Sequence, residues 1–243
     1  MSEWYRRRFD FNQYERDRWV AGQAALVPAG SRVLDAGAGA GPYRHLFAHC
    51  EYAAHDFGGE TGTIGRYAPL DYECDITAIP VAAQSFDVVL CTEVLEHVPD
   101  PVAAVKEMAR VLRSGGRLIL TAPLGSFLHQ EPFHFYGGYT PHWYRKHLVE
   151  AGFEIEALER NRGFFSWFGQ EAARFSGLID PRRTPRRPLL WLALSALWLL
   201  TVPLLRGLFP VLGGPLDRLG LEGVATVGYH VAARRAPVET AKA

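Results

Sequence analysis

V-L-D-A-G-A-G-A-G, residues 33–41, joins a short apolar run to an acid and then to a glycine-dense turn. Glycine serves where a backbone must turn tightly or let a ligand approach with no Cβ in the way. A strand running into such a turn, with a helix expected beyond it, is the nucleotide-binding start of a doubly wound α/β domain. A dinucleotide site needs G-x-G-x-x-G, with a pyrophosphate resting on the helix N-terminus. Gly37 and Gly39 satisfy the first part, but Pro42 stands where the third glycine belongs.

Asp35, at the strand end, repels a pyrophosphate and suits a ligand that carries an ammonium and a sulfonium. The local pattern therefore fits S-adenosylmethionine better than NAD. Two further acids fall at useful distances. Asp56 closes the run Tyr52-Ala53-Ala54-His55, one half-unit after the turn, where an acid binds ribose hydroxyls. Asp75, followed by Ile76, offers a carboxylate for an adenine amino group and an apolar cover for the ring. For any one of these acids a solvated loop or a helix cap is the plainer explanation; their order along the chain carries the reading.

With these pieces in place the chain resembles the class I S-adenosylmethionine-dependent methyltransferases of the type 11 group. The matching stretches are 33–41, H-D at 55–56, C-D-I-T-A-I-P at 74–80, S-F-D-V-V-L-C-T-E-V-L-E-H-V-P-D-P at 85–101 and L-R-S-G-G-R-L-I-L-T-A-P at 112–123. The resemblance covers roughly 30–160 and specifies the cofactor far better than the acceptor. It implies that Asp35, Gly37 and Gly39 line the methionine end, that Asp56 holds the ribose, that Asp75 and Ile76 hold the adenine, and that Thr92 and Glu93 border the cofactor. The chain departs from many relatives at Ala38, where they carry Cys, and at Pro42, which shifts the start of the first helix.

Length and composition agree with an α/β core. An apolar share of 48% is ample for one domain with additions in 243 residues. Basic and acidic residues number 26 each, so no global field draws nucleic acid, and no basic stripe with interleaved aromatics is visible. Cys50, Cys74 and Cys91 lack C-x-x-C spacing and read as structural thiols of a reducing compartment. The opening Trp4-Tyr5-Arg6-Arg7-Arg8 is unlike a secretory leader. A cytoplasmic protein, able to sit on the cytoplasmic face of a membrane, is the expectation.

The expected fold is a doubly wound, Rossmann-like, seven-stranded sheet with a hydrophobic helical insertion before its last strand. A helical segment (1–29) precedes the cofactor-binding core (30–164); the insertion (165–222), the final strand region (223–236) and a tail (237–243) follow. Helices are expected at 12–27, 42–48, 101–112 and 141–151, and strands at 32–36, 51–56, 86–91, 117–122, 153–159 and 225–233. Asp100 and Pro101 mark the start of the third helix, and Gly115-Gly116 its end.

Two clusters carry candidate chemistry. The loop 123–140, P-L-G-S-F-L-H-Q-E-P-F-H-F-Y-G-G-Y-T, leaves the carboxyl end of a strand, where open α/β sheets bind ligands. Its His134 and His129 are the candidate catalytic bases, since transfer to oxygen needs the acceptor proton removed; closing a lid over the cofactor is the alternative role. Glu93, Glu96 and His97 could share one face of a turn. Two carboxylates and an imidazole suit a hard or borderline ion, and the resemblance to quinone-biosynthesis O-methyltransferases points the same way. The expectation is nevertheless that the set orients the turn locally and holds no metal.

Residues 188–205 carry no charge and follow Arg182, Arg183, Arg186 and Arg187. The run is apolar all round, unlike a half-exposed surface helix, and Pro203 is expected to break it. If the last strand returns to the sheet, both ends of the insertion stay on one side of a bilayer. Monotopic or re-entrant insertion then outweighs a single crossing, with burial against protein as the other choice. The expected activity is methyl transfer to an oxygen of a small or lipid-linked acceptor. The rival is a membrane-recruited, non-catalytic scaffold of the same fold.

Overall fold

The computed structural model describes residues 2–58, 68–183, 188–220 and 225–237. Arg186, Arg187 and most of the expected tail lie outside the described residues. The chain divides into two compact units: residues 16–159 with 228–243, and residues 1–15 with 160–227.

The first unit contains a seven-stranded sheet. Its strands are β1 (Arg32–Ala36), β2 (Glu51–Asp56), β3 (Tyr72–Glu73), β4 (Phe86–Thr92), β5 (Leu112–Pro123), β6 (Phe153–Arg160) and β7 (Gly228–Arg235), in the order β3-β2-β1-β4-β5-β7-β6. β1 pairs in parallel with β2 and β4, β4 in parallel with β5, and β7 antiparallel with β5. The order reverses at β1, which puts a ligand crevice at the carboxyl ends of β1 and β4.

Alternation along the central strands feeds two cores. Leu34, Val89, Cys91, Leu118 and Leu120 pack with Ala104, Val105 and Met108 of α3 (Pro101–Val111) and with Tyr144 and Leu148 of α4 (Pro141–Glu150). Val33, Val88, Leu90 and Ile119 point the other way, onto Val20 and Ala24 near the end of α2 (Phe11–Ala24) and onto Phe47. Strands buried on both faces need near-continuous apolar sequence, as β4 and β5 show.

Several local expectations change. The helix expected at 42–48 is a single 3₁₀ turn, Arg44–Phe47. Gly41 is left-handed at φ +66°, and only fourteen residues separate β1 from β2, so no longer helix is built. The helix begun by Asp100, whose carboxylate accepts the Ala103 N–H at 2.9 Å, stops at Val111. Leu112 is already extended, and Gly115-Gly116 lies within β5. Phe86 pairs with Leu112 and Val88 with Arg117, so the glycines occupy a bulge. β3, only two residues long, was hidden in the loop-rich stretch. The last strand starts three residues later than expected, the leading helix expected at 12–27 is α2, and a further short helix, α1 (Glu3–Phe9), precedes it.

The second unit is helical. α5 (Phe164–Leu178) packs against α7 (Phe209–Asp217). Gly213 allows this approach, because a Cβ there would lie 2.9 Å from the Phe165 carbonyl. Gly163 offers no side chain to cap α5, and Asp217 takes that role by accepting the N–H groups of Gly163 and Phe165 at 3.1 and 2.9 Å. α6 (Pro188–Val202) continues without a break into α7, giving one 30-residue helix, Pro188–Asp217. Pro203 does not end it. The missing N–H and the ring are absorbed by a π-helical stretch, Pro203–Leu208.

Candidate active site

The glycine turn is held from below by the end of β2. The N–H groups of Gly37 and Ala38 donate to the His55 carbonyl, and the Gly39 N–H donates to Asp56 Oδ2 at 2.8 Å. Asp56 Oδ1 accepts the Phe57 N–H, so this carboxylate joins the turn to the strand. Gly37 has φ +87°, and a Cβ there would lie 2.3 Å from Val94 Cγ2. Only glycine fits.

A cavity of about 540 Å³ opens above this turn, in the size range of small-molecule sites. Gly37, Gly39, Asp56, Asp75, Ile76, Thr92 and Glu93 all line it, together with His97. Asp75 Oδ1 accepts both the N–H and the hydroxyl of Thr77, which fixes its loop. Asp35 is placed differently from the other expected cofactor residues. It lies beneath the turn, 1% exposed, and takes a short hydrogen bond from the Tyr52 hydroxyl. Burial pushes its carboxyl up to about 7, against the lowering by the Tyr52 hydroxyl.

Glu93 adopts a left-handed backbone, φ +53°, which a non-glycine residue holds only when its surroundings fix it. Its N–H donates to the Thr121 carbonyl, its Oε1 accepts the Thr121 hydroxyl at 2.8 Å, and its Oε2 pairs with Arg16 at 3.1 Å. Arg16 also donates to the Tyr43 hydroxyl. Neither Arg16 nor Tyr52 stood out in the sequence, because each acts across a distance in the chain that only the fold closes.

Three histidines gather beside the cavity. Ring centroids are 4.8 Å apart for His97–His129, 4.6 Å for His129–His134 and 5.8 Å for His97–His134. His97 lines the cavity; His129 and His134, the bases expected from sequence, do not, and meet it only through their contacts with the His97 ring. His97 Nδ1 lies 2.6 Å from the Phe133 carbonyl. A carbonyl only accepts, so Nδ1 carries the proton and Nε2 is left with a lone pair. Burial, with help from His129 and His134, lowers the His97 pKa and keeps the ring neutral near pH 7. His134 Nε2 is 3.0 Å from the Ser126 hydroxyl, and burial followed by His129 lowers its pKa as well.

The expected trio of Glu93, Glu96 and His97 is only partly realised. Glu93 is bound to Arg16 and Thr121, as above. Glu96, His97 and His129 instead bring one ligand atom each within 4.8 Å of one another. Glu96 is buried with one carboxylate oxygen unpartnered, and burial, followed by the nearby Glu93, pushes its carboxyl up to about 8. One carboxylate and two imidazoles form a donor set that fits a borderline divalent ion.

Comparison with known proteins gives the same domain. Residues 34–120 match the family model described as a methyltransferase domain. The ubiquinone biosynthesis O-methyltransferase of Xanthomonas axonopodis pv. citri is 39% identical over 108 residues, covering 40% of this chain and 45% of that protein. The enzyme of the same name from Xanthomonas campestris pv. campestris (strain B100) is 37% identical over 113 residues, covering 42% and 46%. The match therefore spans less than half the length of these curated relatives. Among solved structures, phosphoethanolamine N-methyltransferase 2 of Haemonchus contortus, in complex with S-adenosyl-L-methionine, aligns with a TM-score of 0.53 at 15% identity, covering 93% of this chain and 53% of that one. The cyclase SpnF aligns with a TM-score of 0.53 at 17% identity, covering 92% and 81%. At such identities the likeness is one of fold. Sheet order, glycine turn and family match converge: residues 34–120 carry a class I S-adenosylmethionine-dependent methyltransferase domain.

Proposed function

We propose that this protein transfers a methyl group from S-adenosylmethionine to an oxygen of a small or lipid-linked acceptor. One observation carries the reading: a single cavity is lined by the glycine turn, Asp56, Asp75 and Ile76, and also by the neutral His97. In this reading Gly37 and Gly39 let the methionine portion lie against backbone. Asp56 receives the ribose hydroxyls on lone pairs that its two backbone hydrogen bonds leave free. Asp75 and Ile76 receive the adenine, and Thr92 and Glu93 border the sulfonium side. Asp35 acts from beneath the turn as a negative charge that a cationic ligand favours.

His97 Nε2 accepts the proton of the acceptor hydroxyl. The oxygen attacks the methyl carbon in line, the carbon–sulfur bond breaks, and S-adenosylhomocysteine leaves. Alignment within the cavity supplies much of the rate, and the base contributes on the order of 10²–10⁴-fold. Burial, with the help of His129 and His134, keeps His97 neutral, and the two rings shape the acceptor side. The donor set Glu96, His97 and His129 favours a second reading, in which a divalent ion held there lowers the pKa of the acceptor hydroxyl. Loss of activity on chelation, restored by one divalent metal, selects the second reading; full activity in chelator selects the first.

The lipid-linked acceptor is supported by the exposed apolar helix α6 and by the name of the quinone-pathway relatives. The chain leaves the sheet at β6 and returns to it at β7, so α6 serves as a monotopic insertion rather than a single crossing. Transfer of labelled methyl to a prenylated phenol in detergent, with none to its water-soluble counterpart, supports this acceptor class. The reverse preference overturns it.

A further inference from the structure

The zero net charge of this chain hides a separation. Residues 1–15 and 160–227, the helical unit, carry twelve arginines and no lysine against seven carboxylates, a surplus of five positive charges. The remaining residues carry fourteen basic and nineteen acidic side chains, a surplus of five negative charges. The unit that bears the apolar helix is thus the cationic one. A basic surface is drawn to an anionic leaflet, and an acidic surface is repelled by it.

α1 belongs to that unit and packs on α7, with the Arg8 guanidinium over Gly214. Its outward residues are of the kind found at a lipid–water boundary. Trp4 is 60% exposed, Tyr5 and Arg7 are exposed beside it, and Tyr5 rests on Phe9 at a centroid distance of 4.9 Å. Aromatic rings with a polar edge and arginines with long stems seat at headgroup level. α6 offers the complementary feature. It buries no residue of its own, and Leu189 and Leu200 are 86% and 76% exposed. Arg182 and Arg183 precede it, with Arg182 over the Trp198 ring.

We propose that the helical unit is a docking module for an anionic lipid surface, in which α1 engages the headgroups through Trp4, Tyr5 and Arg7 while α6 enters the acyl region. This rests on the reading of α6 as a membrane insertion and adds a lipid-charge preference and a second contact element. It does not depend on which acceptor is methylated. A partner protein would need a matching acidic and apolar face; a bilayer of anionic lipid supplies both features without one.

Vesicle flotation of the full chain tests it, with pure phosphatidylcholine compared with phosphatidylcholine containing 30% phosphatidylglycerol as probes. Each variant is first checked for S-adenosylmethionine binding, to show that the catalytic unit is folded, and for unchanged helical content. The wild-type chain is expected to bind the anionic vesicles at least about tenfold more tightly than the neutral ones. The variant Trp4→Ser/Tyr5→Ser/Arg7→Glu is expected to lose most of that preference while still binding neutral vesicles like the wild type. The variant Leu192→Asn/Leu199→Asn/Leu200→Asn is expected to lose binding to both. An α1 variant that keeps the full anionic preference overturns the role of α1 and leaves α6 as an insertion. A wild-type chain that floats with neither vesicle, or equally with both, overturns the module.

Discussion

Leu118-Ile119-Leu120 of β5 and the leucines of α6 are equally apolar and meet opposite fates. The β5 residues are fully buried, sending side chains alternately into the two cores on either face of the sheet. The α6 residues are spread around a helix that buries none of them. A two-fold period gives a strand two defined faces, and helices on each side can cover both. A helix apolar on every side has no solvated face to leave outward, and α5 and α7 pack on one another instead. The lesson is that hydrophobicity alone does not place a segment in a core; periodicity together with a complementary partner does.

The sheet unit and the helical unit also divide the proposed functions, and variants in each separate them. The largest effect is expected for His97→Gln, which should lower kcat by about 10²–10³-fold, with the S-adenosylmethionine Kd within about twofold of wild type. His134→Gln should cost far less, and a larger loss there would move the base one ring outward. Gly37→Val forces a branched side chain into Val94 at positive φ. Cofactor affinity should fall by about 10–100-fold in calorimetric titration, with vesicle binding intact. Equal damage to both properties would show that the two units are not functionally separable.

A smaller effect follows from Asp35. Its carboxyl sits near 7 in the free protein, and a cationic ligand favours the ionised form. S-adenosylmethionine binding should therefore release a proton, and affinity should rise as pH increases from 6 to 8, by at most tenfold per unit. Asp35→Asn should flatten this dependence. The same raised value implies that folding stability falls as pH rises from about 4 to 7, where the unfolded carboxyl ionises and the buried one does not. The smallest effect is Asp100→Ala, which removes the cap on α3 at about 1 kcal/mol and lowers Tm by a few degrees, with activity at moderate temperature unchanged.

Much of the cavity lining was legible because its signals are local. The turn at 37–41, the acids ending β2 and following β3, and the Asp100 cap each occupy a few consecutive residues. Failures came where the same letters serve two structures. Gly115-Gly116 resembled a helix end and is a strand bulge, because φ +75° at Gly115 suits either. Pro203 resembled a break and is accommodated by a π-helical stretch, because the apolar helix continues past it. The histidines were legible only as two separate clusters, His129 with His134 and His97 with the glutamates; that the three rings meet, and that His97 is the one lining the cavity, was not. That depends on the Phe133 carbonyl that orients His97 across a loop. The charge separation was invisible in the total, since the +5 and −5 sets interleave along the chain and cancel.

The central claim is that the cavity above residues 37–41 holds S-adenosylmethionine. Calorimetric titration of the full chain, kept in detergent or lipid for the sake of α6, tests it with S-adenosylmethionine, S-adenosylhomocysteine and NAD in turn. Micromolar binding of the first two at one site per chain is expected, with no binding of NAD and with both sulfur ligands weakened about 10–100-fold in Gly37→Val. Tight NAD binding, or a folded protein that binds neither sulfur ligand, would contradict it.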